Sequence, residues 1–516
     1  MLFNSYEFLF AFLPIVFLMF FMIGRYSRLL AAGWLALASL FFYGWWNPHF
    51  VLLLMLSVSG NYLAGRQLSR RQRTPAGKRL LTLAIACNLG VLALYKYSNF
   101  FIATLDHSFD AHLSALNIVL PLGISFFTFT QIAFLVDAYR GIATEFNFVH
   151  YTLFVTYFPH LIAGPVLHHK EMMPQFASRD CYRIVPANVA TGVLFLTIGL
   201  AKKILLADNL SPYVSPVFNA ADHGVTLNLL AAWTGALAYT FQLYFDFSGY
   251  TDMAIGISRM FNIVLPLNFN SPYKSVNIVE FWRRWHMTLS RFLRDYLYIP
   301  LGGNRDGAAH RYLNLMITMV LGGLWHGANW TFVIWGGLHG LFLCLNHTWR
   351  FVAGDARVRW EARRSYRVLS AMLTCVAVMA AWVFFRAPSF HAAFGVLGGM
   401  AGVHGIAVPM QLQPLFVKIA GHHASLVTFA EPWGVLKAYG IAEAKKCVLL
   451  LAASAVIVWG CPNSQQIVAR LTAAGRPLTT RPAHSLALAS GLGCGVTFIF
   501  CLLFLARKAE FLYFQF

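Results

Sequence analysis

Long apolar runs separated by short charged loops set the rhythm of this chain. They extend over Phe8 to Ile23, Leu29 to Trp45, Phe50 to Ala64, Leu80 to Tyr97, Ile118 to Val136, Leu153 to Leu167, Val189 to Leu206, Leu229 to Phe247, Leu313 to Trp325, Thr331 to Leu345, Leu369 to Phe385, Val448 to Trp459 and Leu486 to Leu505. A bilayer is crossed by a helix of roughly 20 such residues. The pattern therefore predicts an all-α polytopic membrane protein with about eleven to thirteen membrane helices, some too short to span and re-entrant. The first run lacks a basic leader and carries Glu7, which predicts an anchor and not a cleaved signal peptide.

One stretch departs from that rhythm. Between Glu280 and Arg305, in EFWRRWHMTLSRFLRDYLYIPLGGNR, five arginines, two carboxylates and a histidine crowd together. Phe281, Trp285, Leu289, Phe292 and Tyr296 recur at three- and four-residue steps, which predicts one continuous amphipathic helix. Arg283, Arg291 and Arg294 fall on its polar side, and Glu280 with Arg284, and Arg291 with Asp295, are spaced for ion pairs one turn apart. His286 falls at the border of the apolar stripe. By pattern alone, an interfacial helix whose arginines meet lipid phosphates accounts for all of this.

A second stretch, LGGLWHGANWTFVIWGGLHG from Leu321 to Gly340, sets His326 in nearly continuous apolar sequence flanked by glycines. An ionisable group at that depth is costly and usually faces a cavity or a polar partner. Gly322, Gly323 and Gly327 permit close approach or a broken helix, and Trp325, Asn329 and Trp330 are candidates to line a pocket. His286 and His326 can converge across a helical hairpin. His339, about 140° round a continuous helix from His326, is expected to face elsewhere, and it and His347 read as packing residues. Asp246 and Asp252, in YFDFSGYTDMAIG, are carboxylates at membrane depth. They either line an acceptor site or join a local network with Tyr244, Ser248, Tyr250 and Thr251.

Composition fits a membrane chain: of 516 residues, 58% are hydrophobic and only 11% charged. The net charge of +20 lies mostly in short loops, as the positive-inside rule requires, so no nucleic-acid partner is expected. Arg66, Arg70, Arg71, Arg73, Lys78 and Arg79 mark one cytoplasmic loop, and Arg350, Arg357, Arg359, Arg363, Arg364 and Arg367 another. Counting crossings back from the first places the amino terminus outside, and alternation from the second places the stretch from Pro388 to Ala444 outside. The eight cysteines are scattered, without a C-x-x-C pair, and read as small hydrophobes. His160, His168 and His169 lack a completing ligand at recognisable spacing, so no metal is expected. No repeat and no phosphate loop is present, so residues 1–516 are taken as a single membrane domain, with a core over about 90–350 and carboxy-terminal helices and an outer-face loop over about 386–516.

A neutral imidazole in an apolar pocket can take a proton from an attacking alcohol or thiol, which fits acyl transfer, and it fits a proton relay in a transporter equally well. Resemblance separates the two. FPHLIAGPV at Phe158 to Val166, YFDFSGYTDMAIG at Tyr244 to Gly256, and the two stretches above resemble, in the same order, the membrane-bound O-acyltransferase family. Within it they are similar to the bacterial branch that serves alginate O-acetylation and teichoic acid D-alanylation. The ending EFLYFQF, Glu510 to Phe516, resembles the ends of the alginate-acetylating members.

The resemblance implies a ring of membrane helices around a thin centre with a tunnel through it. It implies a catalytic histidine at His326 and a second histidine near the reaction centre at His286. It implies acetyl-CoA as a cytoplasmic acyl donor, with no bound cofactor, and Arg283, Arg284, Arg291 and Arg294, with Trp285, are candidates to hold it. His326 is then expected to act as general base, and His286 to orient a group or stabilise the oxyanion. Expected partners are membrane lipids, outer-face or periplasmic acetyltransferase proteins and a polysaccharide acceptor such as alginate, acetylated cellulose or peptidoglycan, at a bacterial inner membrane. Teichoic-acid D-alanylation, a lipid or protein acyltransferase, and a transporter or export channel for acyl groups or polymer are the alternatives.

Overall fold

The computed structural model describes residues 1–408, 418, 428–429, 440–473, 481–505 and 512. The EFLYFQF ending, apart from Leu512, and much of the expected outer-face loop lie outside them. Chain order begins with α1 (Glu7–Gly24), α2 (Arg28–Gly44), α3 (His49–Arg70), α4 (Pro75–Leu92) and α5 (Ser98–Phe109), the last two joined through a π turn at Ala93–Tyr97. It continues with α6 (Ile124–Arg140), α7 (Phe148–Thr156), α8 (Phe158–Leu161), α9 (His169–Ala177), α10 (Pro186–Ala201) and α11 (Leu229–Met260). Next come α12 (Ile278–Arg284), α13 (Met287–Leu293), α14 (Gly307–His326), α15 (Trp330–Ala353), α16 (Ala356–Ala362) and α17 (Arg364–Arg386). The last are α18 (Phe390–Met400), α19 (Gly440–Ala455), α20 (Ser464–Ala473) and α21 (Arg481–Phe504). The strands among the described residues are two residues each, Ala407–Val408 beside Thr428–Phe429. The chain is an all-α polytopic membrane protein.

Local sequence explains most helix starts. Ser27, Thr74, Asn147, Asn228, Asn277 and Ser389 each accept a hydrogen bond from a backbone N–H of the following turn, satisfying a donor the helix cannot. Pro75 and Pro186 open α4 and α10, where a missing N–H costs nothing.

Among the described residues, four helices are long and apolar enough to cross a membrane, and a fifth is if the pair Lys445–Gly460 and Ser464–Thr472, bent by 62°, counts as one span. The larger number expected from sequence counts helices that fail this test because they are short or carry polar groups against other helices. α11 is such a helix: 32 residues, buried along almost its whole length and holding Gln242, Asp246 and Asp252 inside the protein.

Two expected helices are broken. Ile118 to Val136 becomes helical only from Ile124, after Gly123 at φ +70°. Leu153 to Leu167 divides at Tyr157, gives one turn at α8, and runs on as buried irregular backbone. Its polar groups are met from inside the protein: the N–H of Phe158 donates to Ser39 Oγ at 3.1 Å and that of Val166 to Thr288 Oγ1 at 2.9 Å. Irregular backbone is tolerated at membrane depth on that condition.

Two glycine seams set the packing around the centre. A Cβ on Gly192 meets the carbonyl oxygen of Gly256 at 2.5 Å, and one on Gly199 meets that of Gly249 at 2.6 Å, so α10 and α11 cross backbone to backbone. A Cβ on Gly323 meets Phe332 O at 2.2 Å and one on Gly336 meets Met319 O at 2.3 Å, which closes α14 and α15 into a tight hairpin.

Candidate active site

The charged stretch from Glu280 is not the continuous helix its periodicity predicts. α12 stops at Arg284, Trp285 is extended, and His286 takes a left-handed conformation at φ +42° before α13 begins. The break is held from outside the stretch: Asn270 N–H donates to Arg284 O at 2.9 Å, and Met287 N–H to Asn268 O at 3.0 Å. His286 is thereby turned from the border of a surface helix into the interior, where it is 1% exposed.

His286 Nδ1 lies 3.0 Å from Asn268 Oδ1, which also accepts from Thr288 Oγ1 at 2.9 Å and from the Thr288 N–H at 3.3 Å. A backbone N–H can only donate, so that oxygen is an acceptor and the imidazole donates to it. The neutral ring then carries its lone pair at Nε2, a buried atom with no hydrogen-bond partner among the described residues.

His326 ends α14 and is also buried. Its ring centroid lies 6.5 Å from that of His286. A direct N–H···N bond needs ring centres about 1 Å closer, so the spacing suits one bridging hydroxyl or water. Trp325 stands beside both rings, at 4.9 Å from His326 and 6.2 Å from His286, and Trp335 and Phe385 close the other side of His326 at 5.1 Å each. Gly327 follows in extended backbone, and a Cβ there strikes the Phe332 ring at 2.1 Å, so a side chain larger than hydrogen does not fit where the hairpin turns beside His326.

The sequence reading missed Lys96. Its ammonium donates to the carbonyl oxygens of Trp325 at 2.6 Å and His326 at 3.1 Å, while the Tyr97 hydroxyl donates to Leu324 O at 2.8 Å. These are orphan carbonyls of the last turn of α14, so a π turn of a distant helix fixes the peptide that carries His326. The available signal was a lone lysine inside an apolar run.

His339 does not face elsewhere. It is fully buried, accepts from Trp282 Nε1 at 3.3 Å, and lies 4.8 Å from the Trp335 ring that also packs on His326. The 140° offset assumed one continuous helix, and the chain breaks between the two residues at Gly327. Asn329 and Trp330 are directed away from the pair. Asn329 caps α15 at Thr331 N and donates to Pro388 O, while Trp330 is half exposed and donates to Thr104 Oγ1.

Asp246 and Asp252 pair with lysines, not with the local hydroxyl groups expected. Lys203 meets Asp246 at 2.8 Å and Asp208 at 2.7 Å, and Lys202 meets Asp252 at 2.6 Å, all from a π turn at Lys202–Ala207. Ser464 Oγ also donates to Asp252, and Leu512 N to Asp246, tying later segments of the chain to α11. Together these contacts form a buried network of ion pairs and hydrogen bonds.

Three of the four candidate donor-binding arginines are matched to carboxylates. Arg284 meets Glu280 at 2.6 Å as spaced, but Arg291 forms a two-pronged pair with Glu171 at 2.6 and 2.7 Å instead of the expected Asp295, which is taken by Arg294 at 2.7 Å. Arg283 is exposed, with no ion pair among the described residues. Trp285 is buried against Phe269 at 5.0 Å and Trp382 at 4.9 Å. His160, His168 and His169 engage separate partners, Phe154 O, Tyr296 and Asp137.

Residues 9–387 match the membrane-bound O-acyltransferase family. A peptidoglycan O-acetyltransferase of Helicobacter pylori is 42% identical over 435 residues, 79% of this chain and 81% of that protein. A probable alginate O-acetylase of Azotobacter vinelandii is 42% identical over 408 residues, 78% of each chain. A teichoic acid D-alanyltransferase of Bacillus subtilis is 28% identical over 352 residues, 66% of this chain and 85% of that one.

Proposed function

Since the chain belongs to the membrane-bound O-acyltransferase family and is an acyltransferase embedded in the membrane by several helices, we propose that it supplies acetyl groups for O-acetylation of a cell-surface polysaccharide. The relatives act, by name, on peptidoglycan and alginate, both of which offer sugar hydroxyls. The buried His286 and His326 pair carries this reading, because it supplies a proton acceptor inside the protein with room between the rings for one bridging group.

In the proposed reaction the hydroxyl oxygen of a sugar, or of a carrier that hands acetyl on, attacks the thioester carbonyl of acetyl-CoA. The new C–O bond forms and the C–S bond breaks. His326 takes the hydroxyl proton and returns it to the leaving thiolate. His286 offers an acceptor at Nε2, which supports the first of its two expected roles, orienting a group, over stabilising the oxyanion. A water between the rings would accept from the N–H of the His326 imidazolium and donate to His286 Nε2, which stabilises the charge that develops when the other nitrogen of His326 takes the hydroxyl proton. Lys96 and Asn268 are positioning residues for the two imidazoles.

The donor is proposed to enter from the side of the basic loops, where exposed Arg283 is free to meet its phosphates. An inner-membrane location and an outer-face acetyltransferase partner complete the reading. It is tested with the full chain in lipid nanodiscs given [14C]acetyl-CoA and an acetylatable polysaccharide fragment. Release of free CoA that depends on His326 supports the reading, and CoA release unchanged in His326→Ala sinks it.

A further inference from the structure

A cavity of about 840 Å³ opens between α15 and α17, away from the histidine pair. We propose that it holds an anionic glycerophospholipid. This goes beyond the acetyl-transfer reading and does not depend on it.

The lower walls are apolar, formed by Phe342 and Leu345 of α15 and by Leu369, Leu373 and Ala377 of α17. Leu345, Leu369 and Leu373 are 56%, 67% and 69% exposed, although the cavity itself is concave. In a membrane such a surface is covered by acyl chain, and a concave one selects a chain that stays.

The rim is built differently. Arg350 and Arg367 line it, and neither has an ion pair among the described residues. The carboxylate that also lines it, Glu361, lies 3.4 Å from Arg357, so its charge is already met. Two uncommitted guanidinium groups beside an apolar slot match a phosphate joined to an acyl chain. Above them Trp349 stacks on Trp360 at 5.7 Å and donates from Nε1 to the Tyr366 hydroxyl at 3.0 Å, an aromatic cluster of the kind found at headgroup depth.

The two guanidinium groups select an anionic lipid, such as phosphatidylglycerol, over zwitterionic phosphatidylcholine, whose choline carries their own sign of charge. The remaining wall, Val276 to Ile278, is the start of α12, whose Trp282 reaches His339 on α15. An occupant therefore braces α12 against α15.

The test measures thermal unfolding of the full chain in neutral detergent after delipidation, with phosphatidylglycerol, phosphatidylcholine of the same chains, inorganic phosphate or acetyl-CoA added. Phosphatidylglycerol is expected to raise the midpoint by about 3 °C or more, and the others not. The double variant Arg350→Gln with Arg367→Gln is expected to lose the shift. Leu373→Trp, which fills the slot and keeps both charges, is expected to lose it as well. An equal shift with phosphatidylcholine, or an undiminished shift in both variants, overturns the proposal. A shift with inorganic phosphate or acetyl-CoA alone also overturns it, assigning the rim to a soluble anion.

Discussion

Asn268 Oδ1 sets the tautomer of His286: it accepts the Thr288 N–H at 3.3 Å, so the imidazole Nδ1, at 3.0 Å, must donate to it. The lone pair at Nε2 follows from a backbone amide two residues further along the chain. A side chain outside the RRWH stretch thus decides which proton chemistry that histidine can perform.

Asn268→Leu removes the acceptor and frees the ring to change tautomer. Acetyl transfer is expected to fall about 10- to 100-fold, with most of the loss in kcat. Asn268→Asp keeps an acceptor at the same place and is expected to retain more activity than the leucine variant. Steady-state kinetics of the two variants in nanodiscs check the order.

Lys96→Met strips the carbonyls of Trp325 and His326 of the ammonium that lies 2.6 and 3.1 Å away. Leaving them unmet in a dry interior is expected to cost about 2 kcal/mol. The midpoint of thermal unfolding should drop, and acetyl transfer should fall further than the loss of folded protein explains, because the peptide carrying His326 is no longer fixed. Lys96→Arg, which keeps donors on a bulkier head, should recover part of both.

The hairpin seam supplies a matched pair of substitutions. A Cβ on Gly323 lies 2.2 Å from Phe332 O, whereas one on Gly337 meets nothing within 4 Å. Gly323→Ala is expected to be destabilising by about 1–3 kcal/mol and to lower the level of protein in the membrane. Gly337→Ala is expected to leave it unchanged. Immunoblots of membrane fractions at equal expression read the difference.

Arg291 is expected to act through Glu171 and not through the donor. Both side chains are about 29% exposed, so a double-mutant cycle of Glu171→Gln and Arg291→Gln should give a coupling of only about 1 kcal/mol in stability. The KM for acetyl-CoA should move less in Arg291→Gln than in Arg283→Gln. The reverse order would return Arg291 to the donor site.

Much of this was legible in the chain itself. Apolar runs gave most helices, and one rule, that an ionisable group among apolar residues needs a reason, picked out His326. Applied evenly, that rule also reaches Lys96 inside the run from Leu80 to Tyr97, and Lys202 and Lys203 inside the run from Val189 to Leu206. Their partners, Asp252 and Asp246 on α11 and the carbonyls ending α14, lie on distant helices that no local pattern connects. The break at His286 was illegible for a related reason. RRWHMT contains no glycine or proline, its helical period runs on undisturbed, and the left-handed turn is imposed by Asn268 and Asn270 from another segment.

The central claim is that the buried histidine pair performs acetyl transfer. Its most direct test is the O-acetyl ester content of the cell-surface polysaccharide in a strain lacking this protein, complemented with the wild type, His326→Ala or His286→Ala at equal membrane levels. The account predicts that wild type restores the esters, that His326→Ala restores none and His286→Ala few, and that polymer yield is the same in all three. Esters restored by His326→Ala to the wild-type level would contradict it.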